Sequence, residues 1–225
     1  WSSSIIQSSY QIPYDNILIL YKSKNYSYEI LNGQLSSVFN ENLKFRRNIS
    51  GHRFTLWGDN HTFSIGDQTI YSGHNRPFEL YYINPFVPHV LANIDSEEGS
   101  DVSSDDNFML FASLRVNIKR NLSFFSEIIV DDFQIDKKNR NIFPDATGFK
   151  FGIEGYNLFD NKNSLNYQIE YTKIGTWTYT HENYMNNWFN FSQPIGYLNG
   201  PDCRSFIIKI NYIKNKNIIF TIENE

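Results

Sequence analysis

Residues 107–118 alternate strictly, with Phe108, Leu110, Ala112, Leu114, Val116 and Ile118 on one side and Asn107, Met109, Phe111, Ser113, Arg115 and Asn117 on the other. Residues 122–133 repeat the division, setting Leu122, Phe124, Ser126, Ile128 and Val130 against Ser123, Phe125, Glu127, Ile129, Asp131 and Phe133. Further on, Phe149, Phe151 and Ile153 oppose Lys150 and Glu154, and Phe206, Ile208, Ile210 and Tyr212 oppose Ser205, Lys209 and Asn211. A period of two predicts β-strands. Each strand has one clean apolar face and one mixed face that carries charge.

The pattern predicts strands over 14–23, 26–35, 50–58, 61–71, 107–118, 122–134, 148–157, 164–178, 203–213 and 217–224. They pair around short turns, such as Lys24-Asn25, Asp59-Asn60 and Lys119–Asn121. Between the pairs lie long connections, about 36–49, 72–106, 135–147 and 179–202, with a short helical turn expected near Asn84–Asn93. A β-sandwich would turn the apolar face inward. A membrane barrel turns it to lipid, with short turns on one side and long loops on the other. Several runs reach the nine to eleven residues that a tilted spanning strand needs, beyond the five or six usual in globular sheets. The expected fold is therefore all-β, an antiparallel up-and-down transmembrane β-barrel to which this chain gives about ten strands.

Composition fits that reading. The 225 residues form one domain, 1–225, with no linker or short repeat. Aromatic residues make up 17% of the chain, 15 Tyr and 19 Phe among them, as aromatic girdles require. No apolar run is long enough for a transmembrane helix. A net charge of -4 without a basic stripe argues against a nucleic-acid partner. Cys203 is the single cysteine, so no internal disulfide forms. The chain opens at Trp1 without methionine and stops on Glu225 within an apparent strand, and so reads as incomplete at the N-terminus and possibly at the C-terminus.

Charges on the mixed faces should point into a lumen: Arg53, Arg115, Glu127, Asp131, Lys150, Glu154, Glu170 and Lys209. Counting back from a turn centred on Arg120 sets Arg115 opposite Phe125 and diagonal to Glu127, where a wall-fixing salt bridge is expected. The same reasoning puts Lys209 diagonal to Glu223.

Catalytic and metal motifs are sparse. The acidic stretch Ser96–Asp106 lacks the register of a Ca²⁺ loop. His52, His61, His74, His89 and His181 show no ligand spacing, and Met185 stands where an H-E-x-x-H motif starting at His181 needs its second histidine. No nucleophile elbow or phosphate-cradling loop is present. No catalytic residue, metal or cofactor is therefore assigned. The segment 177–202 is richer, with Trp177, Tyr179, His181, Tyr184 and Trp188 interleaved with Asn, Thr and Gln. Flat rings beside amides and hydroxyls suit stacking on sugars, and they suit packing or an interfacial belt equally.

With these residues the chain resembles the Wzi-type capsule assembly family of outer-membrane barrels. The matching stretches are GHRFTLW (51–57), IGDQTIYSGHNRP (65–77), YYINPF (81–86), DDFQIDKK (131–138), IEYTKIGTWTYTH (169–181) and QPIGYLNGPD (193–202), in the family's order. The resemblance implies a barrel of about eighteen strands, of which this chain supplies roughly the later half. It also implies a non-enzymatic role at the bacterial outer membrane in attaching or organising capsular polysaccharide or exopolysaccharide. Glycan contacts are then expected from Arg53, Arg76, Trp177, Tyr179, His181, Tyr184 and Trp188, with outer-membrane lipid around the wall.

Two other functions compete. A porin-like channel would use the lumen charges for selectivity. A barrel-embedded glycoside hydrolase needs two carboxylates closer than the roughly 13 Å that separates Glu127 from Asp131 along one strand.

Overall fold

The computed structural model describes residues 4–8, 11–40, 43–74, 76–85, 87, 89, 106–132, 146–157, 163–214 and 218–224. The first eight strands are β1 (Asp15–Lys22), β2 (Tyr26–Asn40), β3 (Leu43–Trp57), β4 (His61–His74), β5 (Asn107–Lys119), β6 (Leu122–Asp132), β7 (Ala146–Gly155) and β8 (Asn163–Ile174). A two-residue pair follows, β9 (Phe189–Asn190) with β10 (Gln193–Pro194), and then β11 (Cys203–Lys214) and β12 (Ile218–Asn224). Among the described residues ten strands form one antiparallel sheet in the order β1-β2-β3-β4-β5-β6-β7-β8-β11-β12, an up-and-down meander with the small β9/β10 ribbon between β8 and β11.

All ten expected strands are present, and two details differ. Among the described residues the sheet is open, with β1 and β12 as edges that do not pair with each other. Residues 36–49 are not a long loop: β2 runs on to Asn40 and β3 begins at Leu43, with a bulge between Leu35 and Val38. The bulge breaks the period-two pattern, which is why those strands looked shorter. A 3₁₀ turn lies at Leu80–Ile83, ahead of Pro85, and the turn expected near Asn84–Asn93 falls largely outside the described residues.

Across β5–β8 and β11 the faces divide as the alternation demands. Leu110, Ile128, Phe151 and Phe206 point away from the covered side and are 45 to 52% exposed. Phe108, Leu114, Phe124, Val130, Phe149, Ile208 and Ile210 share their face through the register. The opposite face buries Met109, Phe111, Ile129, Lys150, Glu154 and Glu170. Along the middle of these strands charge is inside and hydrocarbon outside, the inverse of a water-soluble sheet, and Lys173 and Arg204 are outward charges at the strand ends.

The inner face is filled by two segments of the chain itself. Residues 4–8 bring Ile5 and Ile6 into a core with Met109, Phe111, Ile129, Tyr179, Trp188 and Ile195. The 175–202 connection folds onto the same core and touches strand after strand. Ser36 receives Phe191 N–H, Arg47 donates to the carbonyls of Asn187 and Phe189, and Asn107 donates to that of Asn186. Tyr179 N–H reaches Asp131, and the Thr178 hydroxyl donates to Thr147 O. One loop can reach β2, β3, β5, β6 and β7 only if the sheet wraps round it.

Close approach inside the wall needs glycine. A Cβ on Gly152 would sit 2.5 Å from both Phe125 Cζ and Ile169 O, and one on Gly66 would sit 2.5 Å from Phe111 Cζ. Each aromatic ring lies over a glycine of the next strand, a device that lets a sheet curve.

Candidate functional site

Charges on the inner face form a ladder along the pairing of β6, β7 and β8. Glu127 and Lys150 are direct cross-strand partners, as are Ser123 and Glu154. Lys150 Nζ lies 3.7 Å from Glu127 and 3.8 Å from Glu170. Glu170 also accepts from Gln168 and Thr172, which satisfies its buried oxygens. Lys209, opposite Gln168, shares this face.

The Arg115 register is as expected, with Phe125 directly across. Its ion pair is not: Arg115 bonds Glu154 on β7 instead of Glu127. Glu127 is engaged elsewhere, accepting from Ser4 Oγ at 3.1 Å and Ile5 N at 2.8 Å while it faces Lys150. Lys209 and Glu223 stand directly opposite, not diagonally, so the last hairpin is shifted by two residues from the expected register.

The glycan candidates separate into three groups. Trp177 and Tyr184 are exposed, and His181 is partly covered with its N–H bonded to Asn187. Tyr179 and Trp188 are buried in the plug core, so they hold the loop and do not present rings to solvent. The Tyr179 hydroxyl donates to Ile5 O, tying one half of the plug to the other. Burial and the neighbouring Asp131 and Glu127 carboxylates push that phenol well above its ordinary range. Arg76 is occupied: its guanidinium meets Asp106 at 2.5 and 2.9 Å and Glu79 at 2.6 Å, over the Tyr71 ring. The pairing raises its pKa despite burial and leaves no free fork for an acidic sugar.

Arg53 keeps access to solvent. Its nearest acid is Glu29 at 3.9 Å, and both side chains are about a third exposed. Arg53 borders two adjoining hollows under the N-terminal segment. One of about 260 Å³ is lined by Gln7, Gln11, Tyr14, Glu29, Gln68 and Phe111, and one of about 460 Å³ by Ser4, Ser8, Ser64, Ser113 and Glu127. Amides, hydroxyls, two carboxylates and two rings surround this cleft.

Arg47 was overlooked in the sequence. It is fully buried, its guanidinium bonds the carbonyls of Met185, Asn187 and Phe189, and it lies 4.0 Å over the Phe189 ring. Its adjacent Arg46 and the assumed loop over 36–49 hid its inward direction.

A second polar cluster sits on the opposite side of the wall. Asp67 pairs with Leu110 and His52 with Asp67, so both belong to the outward face, where the flap after β4, with Tyr82, Pro85 and His89, covers them. The Tyr28 hydroxyl reaches Pro85 O, and Ser50 Oγ lies 2.7 Å from Tyr82 O. Under this flap His52 Nδ1 is 3.1 Å and His89 Nδ1 3.3 Å from Asp67 Oδ1. The backbone N–H groups of His52 and His89 hold the two carboxylate oxygens at 3.2 Å. Burial pushes the His89 imidazole down to about 4. The histidines that lack ligand spacing along the chain therefore meet in space. A hairpin count about Asp59-Asn60 places His52 across from Asp67, and this was the available signal.

Ser50, His89 and Asp67 stand in the order of a proton relay, with Ser50 Oγ 3.4 Å from His89 Nε2. Ser50 is fully buried and also meets Asn32 Oδ1 at 2.8 Å, and neither hollow beside Arg53 is lined by it. It has no room to attack a substrate.

No family model matches the chain, and neither any curated protein nor any solved structure matches it.

Proposed function

We propose that this chain is the plugged wall of an outer-membrane β-barrel of the Wzi type, which holds acidic capsular polysaccharide or exopolysaccharide at the cell surface without catalysis. The observation that carries the reading is the inverted polarity of the sheet. Lys150, Glu154 and Glu170 are buried on the plugged face, while Leu110, Ile128, Phe151 and Phe206 stand exposed on the other. An apolar outer face on long meandering strands suits lipid. From Phe108 to Ile118 the strand covers about 33 Å at 3.3 Å per residue, or roughly 25 Å of height at barrel tilt, the depth of an apolar belt. The open edges of β1 and β12 then meet further strands of a larger barrel.

The plug favours binding over conduction. Residues 4–8, 11–14 and 175–202 cover much of the inner face through buried side chains and hydrogen bonds from five strands, leaving only the hollows beside Arg53, whereas a porin keeps that space wet. Glu127 and Asp131 support a non-catalytic reading, since both carboxylates are spent on plug backbone N–H groups. The remaining sugar contacts are Trp177 and Tyr184 on the loop, with Arg53 and the amides of the cleft for carboxylated residues.

The test uses purified acidic exopolysaccharide and detergent-solubilised protein. Trp177→Ala with Tyr184→Ala should weaken binding by more than about tenfold, given about 0.5–1.5 kcal/mol per aromatic contact beyond its burial. Equal binding by a folded double variant would remove the loop from the site. Ion conductance in planar bilayers at porin levels would replace the proposal with the channel reading.

A further inference from the structure

We infer that His52, Asp67 and His89, with a water as fourth ligand, bind one Zn²⁺ ion, which pins the flap after β4 to the outer face of β3 and β4. Two imidazole nitrogens and a carboxylate oxygen lie within 4.8 Å of one another, and all three residues are buried. Of the two contacts between Asp67 Oδ1 and the Nδ1 atoms, the one of 3.3 Å equals a tetrahedral edge and the one of 3.1 Å is slightly shorter. Zn–N and Zn–O bonds of about 2.0–2.2 Å give edges of roughly 3.3–3.6 Å.

The hydrogen bonding of His89 supplies the independent argument. Its Nε2 lies 3.2 Å from Tyr82 O, which only accepts, so Nε2 carries the proton. Ser50 Oγ, at 3.4 Å, adds a further acceptor on that side. In the neutral imidazole Nδ1 is then a bare lone pair. It is buried without a hydrogen-bond partner and faces a carboxylate oxygen. Two electron-rich atoms held at 3.3 Å in a buried site repel each other unless a proton or a metal ion lies between them, and the titration with Zn²⁺ separates the two.

The surroundings are those of a metal ligand set. A carbonyl on the distal nitrogen fixes the tautomer of His89, and backbone N–H groups orient both oxygens of Asp67. Two nitrogens and one carboxylate suit Zn²⁺ better than Ca²⁺ or Mg²⁺, which prefer oxygen. His89 comes from the long connection after β4, whereas His52 and Asp67 come from one hairpin. The ion thus joins a loop to the wall and has a structural role.

The experiment strips the purified full chain in detergent with EDTA and titrates it with Zn²⁺, and in parallel with Co²⁺ to read coordination from its visible spectrum. Wild type should bind one ion per chain, gain thermal stability on Zn²⁺ addition and show the intense Co²⁺ bands of a four-coordinate site. Asp67→Asn and His89→Gln should each lose more than about tenfold in affinity, since outer-shell changes alone cost 10–100-fold. Exposed His61→Gln should match wild type. Wild type that binds no ion, or variants that bind as wild type does, would overturn the inference. Should both variants fail to fold, a weak octahedral Co²⁺ spectrum of wild type would overturn it alone.

Discussion

Lys150 stands directly across from Glu127 on neighbouring strands, with its ammonium 3.7 Å from that carboxylate and almost wholly buried. Glu170 completes the arrangement at 3.8 Å from the other side of β7. One cation therefore serves two acids on three consecutive strands. Such a bridge fixes register, because a one-residue slip of any of the three strands would send its charge to the apolar face.

Lys150→Met should be strongly destabilising, because it leaves buried Glu170 and partly buried Glu127 without their cation. Loss of one partner from a buried pair costs about 3–5 kcal/mol. Denaturant unfolding in detergent measures it. Adding Glu170→Gln should recover much of the loss, and an additive double variant would show that the two residues are not coupled.

Arg47→Ala should release the 175–202 plug while the wall stays folded. Its guanidinium holds three carbonyls of one turn, and lysine cannot reproduce that fork. Limited proteolysis should therefore cut within 182–192 much faster in both Arg47→Ala and Arg47→Lys. Rescue by lysine would mean that charge alone holds the loop.

Gly152→Ala should cost about 1–3 kcal/mol by overpacking, since its Cβ would lie 2.5 Å from a rigid backbone oxygen as well as from the Phe125 ring. Shortening the ring in Phe125→Leu, Gly152→Ala should recover only part of this. Full recovery would assign the whole effect to the ring.

These residues also show what was legible in the sequence. The β5–β6 register followed from a short turn, and Arg115 does face Phe125. Its partner Glu154 did not follow, because the long 133–145 connection leaves the offset between β6 and β7 undetermined by counting. The faces of β5–β8 were readable because each alternates over many residues. On β2–β4 the outward positions turn polar near the flap, at Asn32, Ser50, His52, Asp67 and Thr69, and alternation gives no warning that a loop will cover them. The rings of 177–202 were visible, but whether a ring meets solvent or a plug core depends on the fold of the loop, and Trp188 and Trp177 took opposite outcomes.

Lipid contact of the outer face is the central claim, and nitroxide labels along β6 in reconstituted bilayers test it most directly. Single cysteines replace residues 124 to 130 in a Cys203→Ser background, and collision with oxygen is compared with collision with a water-soluble nickel chelate. Phe124, Ser126, Ile128 and Val130 should favour oxygen strongly, and Phe125, Glu127 and Ile129 should be shielded from both reagents. Even-numbered positions that collide freely with the aqueous chelate would contradict a lipid-facing wall.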